Sequence, residues 1–416
     1  MRQVRKGHVT IGRTNIMLCA MYMILLQPGI MARVPILSVI LLYMKYMCYG
    51  LSLVFYVYQV TKTHLISKLE VVFLLFFSYT LLNTFLKGHF FNSDIDEVVQ
   101  QLSLLFVTYY GLKMSTKATI STLNFVLNLL CLINVVSIIL YPNGIFVQSN
   151  YYDLDIKYWF LGNRNPMSRF ILISLSITLI HSFIYHNRVT LKHAILVVIH
   201  IVTIIYLNSI TALLSTIFVI LIALIHKQKP YSKHINIITF YISGIILSYL
   251  IVVNHIQYNF LDALSFLGRD VTLSGRDYVW ARTIKVISQN FLFGRGFLEK
   301  TEIFRLIGAS HPHNFFLWIL FHSGLMGLLL YSYIIVTVSN MVKVHMSAFY
   351  IRICFAVISS LFIMGIAESL TQMPLIFTIF SIADHLTKEV TTEIVKSTNS
   401  FHDTQLSKKR HILLIR

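Results

Sequence analysis

Two histidines bracket a proline at residues 311–313, and Asn314 follows, where a long polar stretch gives way to an apolar one. An imidazole accepts a proton near neutral pH, so His313, at the mouth of the apolar stretch, is the candidate general base. Pro312 suits a first helical turn, where no backbone N–H is needed, so the helix is expected to start at about His313. At about 100° per residue, Leu317, Leu320, Gly324 and Gly327 then share its face, and the two glycines read as a notch that lets a neighbouring helix approach closely. His311 reads as a helix-capping neighbour or as the partner of a carboxylate.

The second group is cationic. Ser274 is an N-cap with Asp277 three residues later, which predicts a helix over 275–289 carrying Arg276, Trp280, Thr283, Ile284 and Ile287 on one face. Such a helix is expected to lie on the membrane surface with its apolar stripe down. A guanidinium fork matches phosphate oxygens, so Arg276 is a candidate clamp for a phosphate leaving group. Arg164 and Arg169 flank the start of another apolar run, where exposed N–H groups and the helix dipole favour an anion; both are candidates for holding a diphosphate. Glu368 sits near the end of an apolar run. An acid there is costly without a partner, so it is expected to orient an arginine or histidine.

The elements that must position these groups are membrane spans. With 56% hydrophobic residues, 12% charged residues and a mean hydropathy of +0.72, the chain is an integral membrane protein rather than a soluble globule. Apolar runs lie at about 16–26, 35–59, 69–86, 97–112, 118–140, 166–185, 191–207, 210–225, 235–253, 313–339, 350–367 and 373–386. They predict an all-α, polytopic bundle of about twelve spans with a large, partly helical outer loop over about 254–312. With the N-terminus in the cytoplasm, the implied cytoplasmic segments hold 21 Lys/Arg and the outer segments 12. Positive-inside bias therefore puts both termini in the cytoplasm and the polar segments 141–165 and 254–312 outside. Residues 1–388 read as one membrane domain, and 389–416 as a basic cytoplasmic tail.

The net charge of +18 fits this topology, and without a basic soluble domain a nucleic-acid partner is set aside. Cys19, Cys48, Cys131 and Cys354 all lie in apolar runs and imply neither a disulfide framework nor a metal site. No metal or other cofactor is called for by any motif, and no nucleotide-binding glycine loop occurs.

His313-Asn314, a gap of nine residues and then Gly324-Leu325-Met326-Gly327, preceded by Ser274-Gly275-Arg276 and Trp280, resembles the O-antigen ligase/polymerase family. The resemblance covers about residues 160–370. It implies a multi-span glycosyltransferase of the bacterial cytoplasmic membrane that acts on undecaprenyl-diphosphate-linked oligosaccharides, with direct displacement and inversion at the anomeric carbon. Many relatives carry Ser-Arg at the outer start of the span that begins here near 210, whereas this chain has Ser209-Ile210, so Arg164 or Arg169 would have to supply that contact. The leading reading is a repeat-unit polymerase for capsule, exopolysaccharide or O-antigen, with a flippase and a chain-length regulator as possible protein partners. Two alternatives stay open: a ligase that moves finished glycan to a terminal acceptor, and a transporter of lipid-linked sugar. The polar interest at the outer ends of spans, rather than at midplane, favours transfer over transport.

Overall fold

The computed structural model describes residues 12–89, 93–149, 155–224, 236–260, 275–369 and 375–392. Its helices are α1 (Arg13–Leu25), α2 (Pro35–Thr63), α3 (Lys68–Leu86), α4 (Ser93–Met114), α5 (Thr116–Leu140), α6 (Arg164–His186) and α7 (Leu191–Tyr206). There follow α8 (Ile210–Leu224), α9 (Ile237–Val252), α10 (Arg276–Gln289), α11 (Lys300–Ile307), α12 (Phe315–Val344), α13 (Phe349–Gly365) and α14 (376–392). The protein is all-α in class. Five helices, α2, α3, α5, α6 and α12, are long and apolar enough to cross a membrane, and α1, α7, α8, α9 and α13 are shorter apolar helices.

Helix starts follow local chemistry. Ser67 and Glu70 form a reciprocal capping box on α3, Ser115 caps α5, Asn236 caps α9, and Pro35 occupies the first turn of α2. Side-chain bonds then sort the helix ends into two groups. At one end, Ser168 at the start of α6 bonds Ser209 just before α8 (3.2 Å), Thr84 near the end of α3 accepts from the Phe297 amide (3.0 Å), and Asn314 donates to Ser248 near the end of α9 (3.0 Å). At the other, Thr391 of α14 meets His345 after α12 (2.8 Å), His385 meets Thr116 of α5 (2.9 Å), and Lys113 of α4 reaches the Leu65 carbonyl before α3 (3.1 Å). All the candidate site residues sit at the first of these ends, called the site end below.

Two findings depart from the sequence expectation. Part of the polar segment 141–165 is a three-stranded antiparallel sheet, β1 (Phe146–Ser149), β2 (Asp155–Trp159) and β3 (Gly162–Asn163). Asn134 and Ser137 of α5 accept from the amides of Leu161 and Phe160 (2.9 and 3.2 Å), and the sheet delivers the chain straight into α6.

The second concerns α12, which is neither straight nor begun at His313. Asn314 is its N-cap, with Oδ1 accepting from Leu317 N (3.0 Å), and an asparagine satisfies an orphan amide that Pro312 cannot. His313 lies before the helix in the left-handed region (φ 51°). Gly324 then breaks the helix (φ 62°, ψ −165°). Phe315 and Tyr331 are 16 residues apart, about 24 Å along a straight helix, yet their ring centroids are 5.0 Å apart, so the two halves fold toward one another.

The segment from Asn290 to Phe297 is inserted into this break and satisfies it from both sides. Arg295 N and Gly296 N donate to the carbonyls of Phe321 and His322 (both 2.9 Å). Leu325 N and Met326 N donate to those of Phe291 and Leu292 (2.8 and 3.1 Å). Gly324 is therefore part of a sealed bend, while Gly327 lies against Ser323 and faces Tyr79 of α3. Gly324 supplies the positive φ, and a Cβ on Gly327 would come within 2.2 Å of Ser323 Cβ.

Gly324→Ala and Gly327→Ala are each expected to destabilise the protein by about 2 kcal/mol or more, through backbone strain and overpacking. Gly50→Ala, in an open position on α2 where an added Cβ meets nothing within 4 Å, is expected to leave stability unchanged or slightly raised. Thermal unfolding of the three purified variants in detergent checks this.

Candidate active site

The site is built on a short stretch of backbone that follows α13. Arg276, the first residue of α10, donates through Nη1 to the Ala367 carbonyl, and its Nη2 lies 3.4 Å from Glu368 Oε1. Arg169 of α6 donates through Nη1 to the Ser369 carbonyl (2.9 Å). Two guanidiniums from opposite halves of the chain are thus held on carbonyls two residues apart, with one carboxylate between them. Asn314 donates to the Ile366 carbonyl (2.9 Å), tying the start of α12 to the same stretch.

The turn from His311 to Asn314 is fixed from the other side. Trp280 is fully buried and donates its indole N–H to the Pro312 carbonyl (3.0 Å). Its face of α10, with Val279, Thr283, Val286 and Ile287, packs into a small core with Leu317 and Phe321 of α12 and Ile303 and Ile307 of α11. The expected membrane-surface helix therefore lies with its apolar stripe on protein rather than lipid: the first half of α12 presents the apolar surface that the stripe needs. Ser274, expected to cap α10, lies outside the described residues; Gly275 at φ 75° precedes the helix. Asp277 accepts from the amide of Tyr278 (2.8 Å) and from the Tyr258 hydroxyl (3.2 Å).

His311 and His313 stack edge to face across Pro312, with ring centroids 4.0 Å apart. Each has a solvent-shielded Nδ1 without a hydrogen-bond partner among the described residues, and Arg169 Nε and Ser369 Oγ are likewise without one. Four ligand-ready polar atoms in one place are unusual, because buried polar groups are normally paired. Burial, together with the guanidiniums of Arg169 and Arg276, pushes His311 down to about 3. Burial, then the neighbouring His311, Arg276 and Arg169, holds His313 well below the ordinary 6.5. Both imidazoles are therefore neutral at physiological pH and hard to protonate in the free site.

Arg164 does not join this cluster. It sits five residues before Arg169 on α6, about 140° around the helix, and is exposed while Arg169 is 4% exposed. The starts of α6 and α8 are bonded through Ser168 and Ser209, the residues that precede Arg169 and Ile210. Sequence reasoning missed the carbonyls of Ala367 and Ser369, which no side-chain pattern announces, and Ser248, a single hydroxyl in an apolar run. It also missed Asn83, whose amide holds the inserted segment at the Phe293 carbonyl (2.7 Å) and the His322 carbonyl (3.2 Å). No group of three or more histidine, cysteine or acidic side chains suited to a metal occurs among the described residues.

Residues 195–332 match the family described as O-antigen ligase, in agreement with the family resemblance of the His313-to-Gly327 pattern. The match includes α10, the His311–Asn314 turn and the bend of α12, and supports a membrane glycosyltransferase of the O-antigen ligase/polymerase type acting on a lipid-linked glycan. Among curated proteins, none matches this chain.

The depressed histidines set a pH dependence. Above about 6.5 both folded and unfolded chains carry them neutral, and they contribute nothing. As pH falls below 6.5 the unfolded chain takes up protons that the folded site refuses, so stability declines, toward about 3 for His311. His311→Asn is expected to make the fall in melting temperature between pH 6.5 and 4.5 shallower than in the parent, as read by thermal unfolding across that range.

Proposed function

We propose that this protein transfers a glycan from undecaprenyl diphosphate to a sugar hydroxyl on the outer face of the bacterial cytoplasmic membrane, and that the product is a repeat-unit polymer of capsule, exopolysaccharide or O-antigen type. The observation that carries this reading is the convergence of Arg169, Arg276, His311 and His313 at Ala367–Ser369, with net positive charge and unpartnered nitrogens at one end of a membrane bundle. One carboxylate against two guanidiniums leaves an excess positive charge that suits a diphosphate.

In the proposed reaction the acceptor hydroxyl attacks the anomeric carbon and its proton passes to neutral His313. The anomeric C–O bond breaks, and the electron pair leaves with the lipid diphosphate, whose developing charge Arg169 and Arg276 stabilise. Attack opposite the leaving group inverts the anomeric centre. The proton on His313 then returns to the departing diphosphate or to water. Glu368 holds the Arg276 fork, Trp280 and Asn314 hold the turn that carries the imidazoles, and His311 packs on His313. Arg164, exposed at the start of α6, serves the approach of the anionic headgroup rather than the reacting centre.

The second reading is ligation of a finished glycan to a terminal acceptor, which the match to the O-antigen ligase family favours. The residues named serve both reactions, and only the acceptor differs. A flippase and a chain-length regulator are the protein partners expected around a polymerase.

His313→Ala is expected to lower the rate of elongation of lipid-linked oligosaccharide by purified protein by about a hundredfold or more; near-normal turnover would remove the base role. Arg276→Lys keeps the charge but not the fork, so a large loss in that variant supports bidentate phosphate binding. In cells lacking the protein, accumulation of lipid carrying single repeat units indicates polymerase, and accumulation of lipid carrying long chains indicates ligase.

A further inference from the structure

At the end of the bundle opposite the site, α3, α12 and α14 enclose a cavity of about 270 Å³ that belongs to none of the chemistry above. Its polar wall consists of Lys68, Asp384, Lys388, Asn340 and Thr337. Asp384 is 2% exposed; its Oδ2 accepts from Lys388 Nζ (2.7 Å) and from the Tyr109 hydroxyl (3.3 Å), while its buried Oδ1 has no partner among the described residues. Lys68, at the first turn of α3, lies over the ring of Tyr333 (5.3 Å). The Glu70 amide of that turn is satisfied by Ser67, and the Glu70 carboxylate is engaged by the Ser67 amide (3.3 Å), the Tyr56 hydroxyl (3.0 Å) and Lys113 (3.0 Å).

The charges select the ligand. Two ammoniums against one carboxylate leave a single positive charge, which calls for a monoanion. The unpartnered carboxylate oxygen calls for a hydrogen-bond donor on the same molecule. A phosphodiester bearing a free hydroxyl on its head meets both demands: its phosphate sits between Lys68 and Lys388 and its hydroxyl donates to Asp384. A zwitterionic headgroup would bring a second cation against Lys388. The apolar wall, with Leu69, Val336 and Met341, continues along α12 as exposed Met326, Leu329, Tyr333 and Val336, a stripe suited to acyl chains.

We propose that this cavity is a binding site for a phosphatidylglycerol-type lipid, seated with its headgroup at Lys68, Lys388 and Asp384 and its chains along α12. The site is independent of the glycan chemistry proposed above. It ties the start of α3 to the ends of α12 and α14, the helices whose opposite ends hold the inserted segment and follow the Ala367–Ser369 stretch.

The test uses the full-length protein, purified and delipidated in detergent, with lipid binding measured by native mass spectrometry and thermal shift. The probes are phosphatidylglycerol, phosphatidylmethanol (the same charge without the hydroxyl), phosphatidylethanolamine and water-soluble glycerophosphoglycerol. Phosphatidylglycerol is expected to bind about fivefold or more tightly than phosphatidylmethanol or phosphatidylethanolamine, and glycerophosphoglycerol to give no comparable stabilisation. Lys68→Ala, an exposed position whose loss leaves the fold intact, is expected to weaken phosphatidylglycerol binding about fivefold, whereas Lys343→Ala, an exposed lysine of α12 outside the cavity, leaves it unchanged. Equal binding of phosphatidylglycerol and phosphatidylmethanol, equal effects of the two lysine variants, or full stabilisation by glycerophosphoglycerol would each overturn the proposal.

Discussion

Two guanidiniums that repel one another are drawn to the same three residues of backbone, and the candidate site depends on this arrangement. Arg169 arrives from α6 and Arg276 from α10, and each donates to a carbonyl of the Ala367–Ser369 stretch. Neutral carbonyls orient a guanidinium without cancelling its charge; Glu368 lies against Arg276, and Glu368 and Glu97 both act on Arg169. A fork that had spent its donors on two carboxylates would be indifferent to phosphate. Here Arg169 Nε has no partner among the described residues. Such a locus is costly in the absence of an anion and favourable in its presence, which is the differential interaction that binding a diphosphate requires.

Holding that locus against its own repulsion takes a rigid surround, and the bend in α12 supplies it. Asn314 uses its whole amide group: Oδ1 caps the helix, and Nδ2 reaches Ser248 of α9 and the carbonyl of Ile366. One side chain therefore joins two other apolar helices to the turn that bears the histidines. At the far end of the same half-helix, the Asn290–Phe297 segment pairs with the broken ends at Gly324, supplying partners to the Phe321 and His322 carbonyls and to the Leu325 and Met326 amides. Asn83 and Thr84 then fasten that segment to α3. Displacement of the bend would move the His311–His313 turn relative to the arginines, because Trp280 and Asn314 pin the turn to α10 and α13 at once.

Much of this was legible in the residues. Hydropathy located most of the apolar helices to within a few residues, as for α6, expected over 166–185 and found over Arg164–His186, while the runs at 97–112 and 373–386 form helices that do not qualify as candidate spans. An acid at a span end pointed to a cationic partner, and Glu368 lies beside Arg276. What could not be read was geometry that depends on tertiary context. The Gly-x-x-Gly spacing suits a packing notch and a bend equally well, and only the insertion of Gly294 and its neighbours at Gly324 decides between them. Pro312 and Asn314 both signal a helix start, and the asparagine prevails because its cap bond is made while its amide is used elsewhere. Arg164 and Arg169 looked equivalent in the sequence, yet a rotation of about 140° along α6 sends one outward and the other to Ser369. The carbonyls that hold the arginines carry no sequence signal, since every residue has one.

The same geometry bears on why an imidazole so hard to protonate suits a base. In the free site, burial and the facing guanidiniums keep His313 neutral. A diphosphate bound between those guanidiniums would offset their charge and bring negative charge near the ring, so the histidine becomes more basic when donor is present. Proton affinity thus rises with occupancy of the site. A hydroxyl brought up without donor meets a weak base, and one brought up beside bound donor meets a stronger one. Hydrolysis and transfer both need a deprotonated oxygen, so what separates them is which oxygen lies nearest the ring once the donor is seated.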